Sequence, residues 1–234
     1  MSAAQPVPAE GALLEVFGDL TCPFTYASMK AFGRRRSERR LDHLLVRVRA
    51  WPLEWVNGRV PRPEVVTAEI AALRDTVSPD LFTGFDAAAL PSSAIPAFGL
   101  EAAAYEHGEA TGEAASLALR EALFEHGRDI SDPAVLREVG ERVGVDPPDA
   151  ERSRELVEAA YEEGRSRGVE GSPHIFVGGD DGRFCPALRI ERRGERFFVE
   201  AVPGAIDAVI DEALAAAGLP PHPAGESGPE GAAR

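Results

Sequence analysis

The sequence predicts a mixed α/β fold whose sheet is assembled from two distant parts of the chain. Three observations carry this. Leu13–Phe17 is apolar and β-prone, a helical stretch follows, and Leu44–Trp51 alternates apolar and charged residues. That order is a βαβ unit, which implies parallel pairing with the helix on one face. From about Glu64 to Arg167 nearly every segment has helical spacing, and the texture then returns to strand at His174-Ile175-Phe176-Val177.

Each element has a local reason. Gly18-Asp19-Leu20-Thr21 is a turn, and Cys22-Pro23 opens a helix to about Arg36, since proline suits a first helical turn where its missing N–H would be unpaired anyway. Arg34-Arg35-Arg36 and Arg39-Arg40 suit the solvated end of that helix, where cations meet the dipole. Pro52 ends the second strand. Asn57-Gly58, Pro61 and Pro63 mark a change of composition. Glu64–Arg74 reads as a helix, residues 78–96 are broken by Pro79, Pro91 and Pro96, and Phe98–His107 is helical again. Glu113–His126 carries Ala115, Leu119 and Leu123 on one stripe. Ser131-Asp132-Pro133 caps a helix bearing Val135, Val139 and Val143. Asp146-Pro147-Pro148-Asp149 punctuates before a helix over 150–167. After His174–Val177 comes the turn Gly178–Gly182, and a returning strand through Cys185 to Ile190 predicts a hairpin in the same sheet. Arg192-Arg193-Gly194-Glu195 turns into Phe197–Val199, and Pro203–Ala217 is a terminal helix with Ile206, Val209, Ile210 and Leu214 inward. Residues 1–11 and 218–234 are expected to be disordered.

The chain has 234 residues, 44% hydrophobic and 27% charged, which suits a soluble globular protein with a full core. A net charge of −14 argues against nucleic acid or an anionic membrane surface, both of which need basic patches. Lys30 is the only lysine, so every other basic residue is arginine. No segment reads as a signal peptide or a bilayer-spanning run, and the expected setting is cytoplasmic. Two cysteines, Cys22 and Cys185, are too few for a disulfide scaffold. No Cys/His spacing suits zinc, so no metal is expected.

The chemistry-bearing stretch is Leu13 to Phe32. A thiol at a helix N-terminus faces free N–H groups and the positive end of the dipole, and both favour thiolate. Cys22 is therefore the candidate nucleophile, set against the alternative of a buried, inert cysteine. Thr25 either bonds the Cys22 sulfur or its own backbone. His174 reads as a strand residue; His43, His107 and His126 as surface or packing residues. Trp51, Trp55 and Phe24 either line an apolar cleft or belong to the core. Cys185 either fills a strand or lies close enough to resolve a disulfide.

Asp19-Leu20-Thr21-Cys22-Pro23-Phe24-Thr25-Tyr26 at a strand-to-helix turn is similar to the active-site turn of DsbA-type thioredoxin-fold proteins. Gly171-Ser172-Pro173 before Ile175-Phe176-Val177 resembles that family's cis-proline loop. The likeness covers roughly residues 12–217 and is nearest the cytoplasmic FrnE-like proteins, the 2-hydroxychromene-2-carboxylate isomerases and the kappa-class glutathione transferases. It implies a thioredoxin-like mixed sheet from residues 12–61 and 168–217 with an inserted all-helical domain at 62–167. It implies Cys22 and Thr25 as catalytic residues, and Pro23, Phe24, Ser172 and Pro173 as substrate-binding residues. The sequence departs from the family where DsbA-type oxidants carry a second cysteine: the fourth position is Thr25. The isomerase and kappa branches place serine where Cys22 stands. Three functions follow from the resemblance. One is a single-cysteine thiol–disulfide oxidoreductase with no bound cofactor, using glutathione or mycothiol as co-substrate and acting on a small thiol or a disulfide-containing protein. The second is a thiol-dependent isomerase or transferase, and the third a non-catalytic binding module. A homodimer is compatible with each.

Overall fold

The computed structural model describes residues 11–179 and 182–220. The expected disorder of the ends concerns mainly residues 1–10 and 221–234, which lie outside the described residues. Strand β1 (Ala12–Gly18) leads into α1 (Pro23–Glu38) and then β2 (Leu44–Ala50). The two strands pair in parallel, Ala12 opposite Leu44 and Gly18 opposite Ala50. Then come α2 (Leu53–Val56), α3 (Pro63–Thr76), a single 3-10 turn at Ala87–Ala89, α4 (Ile95–Glu106), α5 (Glu109–Phe124), α6 (Pro133–Val143) and α7 (Ala150–Ser166). Strands β3 (His174–Val177), β4 (Arg183–Phe184), β5 (Leu188–Arg193) and β6 (Arg196–Ala201) precede α8 (Ala205–Ala216).

The main sheet has the order β2-β1-β3-β4, with β3 antiparallel to β1 and β4 antiparallel to β3. Here the chain departs from the predicted hairpin. The returning strand does not run on to Ile190. It stops after Phe184, because Cys185 takes a left-handed φ of +43° and Pro186 follows it. Proline has no N–H to give a ladder. Strands β5 and β6 then form a separate two-stranded sheet, Leu188 opposite Ala201. Two short pieces escaped the sequence reading: α2 and the 3-10 turn. Pro96 sits in the first turn of α4 rather than breaking it, where a proline belongs.

Apolar alternation decides the layers. Leu14, Val16, Val46, Val48, Ile175 and Val177 face α1 and α8, where Met29, Phe32, Val209, Ile210 and Leu214 close one core. Phe17, Trp51, Val169 and Phe176 form a smaller cluster elsewhere on the sheet, with Tyr161 of α7 against it. A larger apolar cluster runs through α3–α7 and includes Leu20, Cys22, Phe24 and Tyr26. The helices therefore pack directly on the start of α1. Tyr105 of α4 also ties the free edge of β2: its hydroxyl accepts from Val48 N–H at 2.8 Å and donates to Val46 C=O at 3.1 Å.

The arginine run at the end of α1 is not simply solvated. Arg36 makes a forked pair with Glu113 at 2.7 and 2.8 Å, and Arg39 reaches Asp207 and Asp211 on α8. Forked guanidinium–carboxylate pairs are planar and directional, so these side chains link α1 to α5 and α8.

Candidate active site

The site forms where β1 ends and α1 begins. Asp19 is buried, and its carboxylate accepts from Thr21 N–H (2.6 Å), the Thr21 hydroxyl (2.5 Å) and Leu53 N–H (2.6 Å). An aspartate that bonds the backbone two residues on is an Asx turn, and this one fixes the loop that delivers Cys22. Burial pushes the Asp19 carboxyl up, opposed by these three donors and by Arg120. Arg120 itself is fully buried. It pairs with Glu101 at 2.7 Å, bonds the Ser116 hydroxyl at 2.6 Å and reaches the Asp19 carbonyl at 3.5 Å. Helices α4 and α5 thus hold a cation behind the turn.

Cys22 is the N-cap residue of α1, with extended backbone (φ −84°, ψ 114°), and Pro23 follows at the first helical position. Its Sγ lies 3.3 Å from the Ser172 carbonyl oxygen, to which the thiol donates. The Ser172–Pro173 peptide is cis. The Ser172 hydroxyl accepts from Asp19 N–H at 2.8 Å and shares a 2.7 Å hydrogen bond with the Thr25 hydroxyl. One serine thus ties the β1–α1 turn, the first turn of α1 and the segment before β3. Gly18 makes this closeness fit: a Cβ there would stand 2.7 Å from Thr25 Cγ2.

The sulfur is not the exposed thiolate that the helix start predicts. Cys22 is only 4% exposed. Burial, with the Glu69 carboxylate of α3 adding to it, pushes its pKa up to about 11; the Ser172 hydroxyl and both the N–H and hydroxyl of Thr25 act in the opposite sense and are outweighed. Desolvation disfavours the charged form of any buried acid, and here it exceeds the pull of the helix N-terminus. Of the two roles weighed for Thr25, the structure has it bearing on the sulfur; its hydroxyl also bonds Ser172, a partner the sequence did not suggest.

Pro23, Phe24, Ser172 and Pro173 are all buried. Phe24 belongs to the large apolar cluster, and Trp51 is likewise core, its ring 4.9 Å from that of Tyr161. In this arrangement Pro23 and Phe24, like Ser172 and Pro173, are packed into the interior beside the sulfur. His174 is the strand residue expected of it, stacked on Phe176 at 4.9 Å. The exposed aromatic beside the site is one the sequence did not single out. Phe184 is 49% exposed, and its ring would meet a Cβ on Gly171 at 2.6 Å.

Glu69 is the other group that sequence reasoning missed. Burial lifts its carboxyl to about 7, with Arg192 opposing. Nothing in the sequence near Glu69 hints at this, because the effect arises from how α3 packs. Among the described residues there is no cluster of His, Cys, Asp and Glu able to hold a metal ion, and no helix long and apolar enough to cross a membrane.

A strand-to-helix turn bearing a cysteine, set against a cis-proline segment on the neighbouring strand, defines a thioredoxin-type protein. The family comparison narrows this: a model of the DsbA-like thioredoxin domain matches residues 13–193, and the chain belongs to that family. No curated protein matches. Among solved structures, a candidate protein disulfide isomerase from Nitrosomonas europaea is similar at 12% identity, covering 88% of this chain and 98% of the other, with a TM-score of 0.56. A 2-hydroxychromene-2-carboxylate isomerase is similar at 17% identity, with coverage of 72% and 86% and a TM-score of 0.50. The cytosolic disulfide reductase DsbM from Pseudomonas aeruginosa is 19% identical over 86% and 95%, with a TM-score of 0.47.

Proposed function

We propose that the protein is a thiol–disulfide oxidoreductase in which Cys22 is the reacting sulfur. The observation that carries this is the 3.3 Å contact between Cys22 Sγ and the Ser172 carbonyl beside the cis Ser172–Pro173 peptide. A free cysteine could fill an apolar core anywhere; one placed at a helix start, on this segment, in a chain of this family, has a chemical reading.

The reaction is written on Cys22. Its proton leaves, and the thiolate attacks one sulfur of a substrate disulfide. The S–S bond breaks, a Cys22–substrate disulfide forms, and the second substrate sulfur departs as a thiol carrying a proton. A further thiol then gives up its proton and attacks the substrate sulfur of that disulfide. The bond to Cys22 breaks, Cys22 takes back a proton as a free thiol, and the substrate leaves bonded to the further thiol. Thr25 and the Ser172 hydroxyl favour the transient thiolate, and the Glu69 carboxylate opposes it. The backbone of Ser172 can pair with an incoming chain once the site opens. Phe184 offers that chain an apolar contact. The small thiol in this reading is glutathione or mycothiol and the setting cytoplasmic. Residues 12–61 and 168–217 supply the reacting half, and 62–167 the helical wall over it.

The test is mass spectrometry after incubation with an oxidised small thiol. Wild type should gain an adduct or a disulfide that depends on Cys22, and Cys22→Ser should gain neither. Undiminished adduct formation in Cys22→Ser would end the proposal.

The raised pKa of Cys22 favours a second reading. A thiol that stays protonated is an S–H donor, as a serine hydroxyl is an O–H donor. In that reading Cys22 would hold the sulfur of a bound thiol cofactor by hydrogen bonding, and the enzyme would be a thiol-dependent isomerase or transferase. Turnover without consumption of thiol, retained in Cys22→Ser, distinguishes the two.

A further inference from the structure

Cys22 and Cys185 are the chain's two cysteines, and both are buried as free thiols. They stand against the same dipeptide. Cys22 Sγ meets the Ser172 carbonyl at 3.3 Å; Cys185 N–H donates to the next carbonyl, that of Pro173, at 2.8 Å. Both belong to one apolar cluster. Cys185 is also one of three non-glycine residues with positive φ among the described residues, at +43°. A side chain in the left-handed region is strained, and such strain collects at functional positions. A core packing role alone would be filled as well by alanine, and the turn better by glycine or asparagine. The strand it ends, β4, is only two residues long, and the turn Cys185 C=O to Leu188 N–H closes the loop at 3.2 Å.

We infer that Cys185 is the resolving thiol for Cys22, so that the two close an intramolecular disulfide across the Ser172–Pro173 segment. This rests on the oxidoreductase reading above. It supplies the second sulfur that position 25, a threonine, does not. The step balances as follows. Cys22 thiolate attacks a substrate disulfide R–S–S–R′, and R′–SH leaves. Cys185 gives up its proton and attacks Cys22 Sγ. The Cys22–S–R bond breaks, the Cys22–Cys185 bond forms, and R–SH leaves. Two thiols of the protein lose two electrons and two protons, and one substrate disulfide gains them. Run backwards, the same exchange oxidises a dithiol. The two sulfurs already sense each other: burial and then the Cys22 charge push the Cys185 thiol up to about 12.

The experiment is oxidation of the full chain with oxidised glutathione, then alkylation and tryptic mass spectrometry without reductant. Wild type should lose two hydrogens and give peptide 1–30 linked to peptide 184–189. Cys185→Ser, with Cys185→Ala as a second variant, should instead hold a lasting glutathione adduct on Cys22. Cys22→Ser should give neither link nor adduct. A wild-type adduct on Cys22 as long-lived as that of the Cys185 variants, with no linked peptide, would overturn the inference and leave the oxidoreductase reading standing. No Cys22 adduct or linked peptide in any form would overturn both. Should the Cys185 variants misfold, the wild-type linked peptide alone decides.

Discussion

The pH profile of Cys22 is the sharpest consequence of its burial. At pH 7 a thiol with a pKa of about 11 is ionised in about one molecule in 10,000, against about 3 in 100 for a free cysteine. The stronger base is the better nucleophile, and a Brønsted slope of about 0.4–0.5 over about 2.5 pKa units returns about 10- to 18-fold. The net expectation at pH 7 is a reaction with a small neutral disulfide about 20- to 30-fold slower than that of free cysteine, before any steric restriction. Restricted access would lower the whole curve; it would not change its shape. The shape is therefore the diagnostic. The rate at Cys22, followed by mass spectrometry of peptide 1–30 in a Cys185→Ala background, should rise tenfold per pH unit from pH 7 to about pH 10. A plateau setting in between pH 8 and 9 would refute the reasoning. So would a rate at pH 7 above that of free cysteine, since either result would mean that the helix start overcomes burial.

Three further outcomes are expected. Glu69→Gln removes the carboxylate that bears on Cys22, so the Cys22 rate at pH 8 should rise about two- to fourfold, the net for up to about one pKa unit once the weaker nucleophile is allowed for. The same change should alter stability. The folded carboxyl titrates near 7 and the unfolded one near 4.5, so the folded state holds its proton longer and wild type loses stability as pH rises through that window. Glu69→Gln should unfold later in urea than wild type at pH 8 by about 1–2 kcal/mol, and no later below pH 4.5, the full 2.5-unit shift being reduced by solvent screening. Asp19→Ala strips acceptors from two backbone N–H groups and a hydroxyl in the turn; a fall of about 3–5 kcal/mol in urea unfolding is expected, and a fall under 1 kcal/mol would mean that the turn is fixed elsewhere. Arg120→Met leaves Glu101 buried without its cation and should lose about 3–5 kcal/mol by chemical denaturation, most of it recovered in the Glu101→Gln/Arg120→Met double variant.

The parts of the fold that were legible in the sequence are those with local causes. Strand β1, helix α1 and strand β2 lie within two residues of their expected bounds, because alternation, a first-turn proline and a helical stripe act within a few residues of one another. Asp132 caps α6 as its spacing requires, its carboxylate accepting from Ala134 N–H at 2.8 Å. The juxtaposition of the Cys22 turn with Ser172–Pro173 came from the order of two motifs; the bonds that make it, from the Ser172 hydroxyl to Asp19 and Thr25, span about 150 residues and have no local signature. Pro186 was the available signal that the strand through Cys185 could not continue, and the alternating apolar residues beyond it masked that signal.

The ionisation of the sulfur was not legible, and the reason is general. A helix N-terminus is a property of sequence, worth about 0.3–1 kcal/mol to a nearby anion. Desolvation is a property of what packs on top, and the roof over Cys22 is the apolar cluster of α3–α7, remote in sequence. The two enter the pKa with opposite signs, and the closed site lets burial win. It follows that activity through Cys22 requires the sulfur to meet water or a polarising substrate before it reacts. The polar groups that would favour the thiolate at that moment are already in place: the Ser172 hydroxyl and the N–H and hydroxyl of Thr25 all pull the pKa down. In the structure burial outweighs all three, which is why the sulfur is held as a thiol.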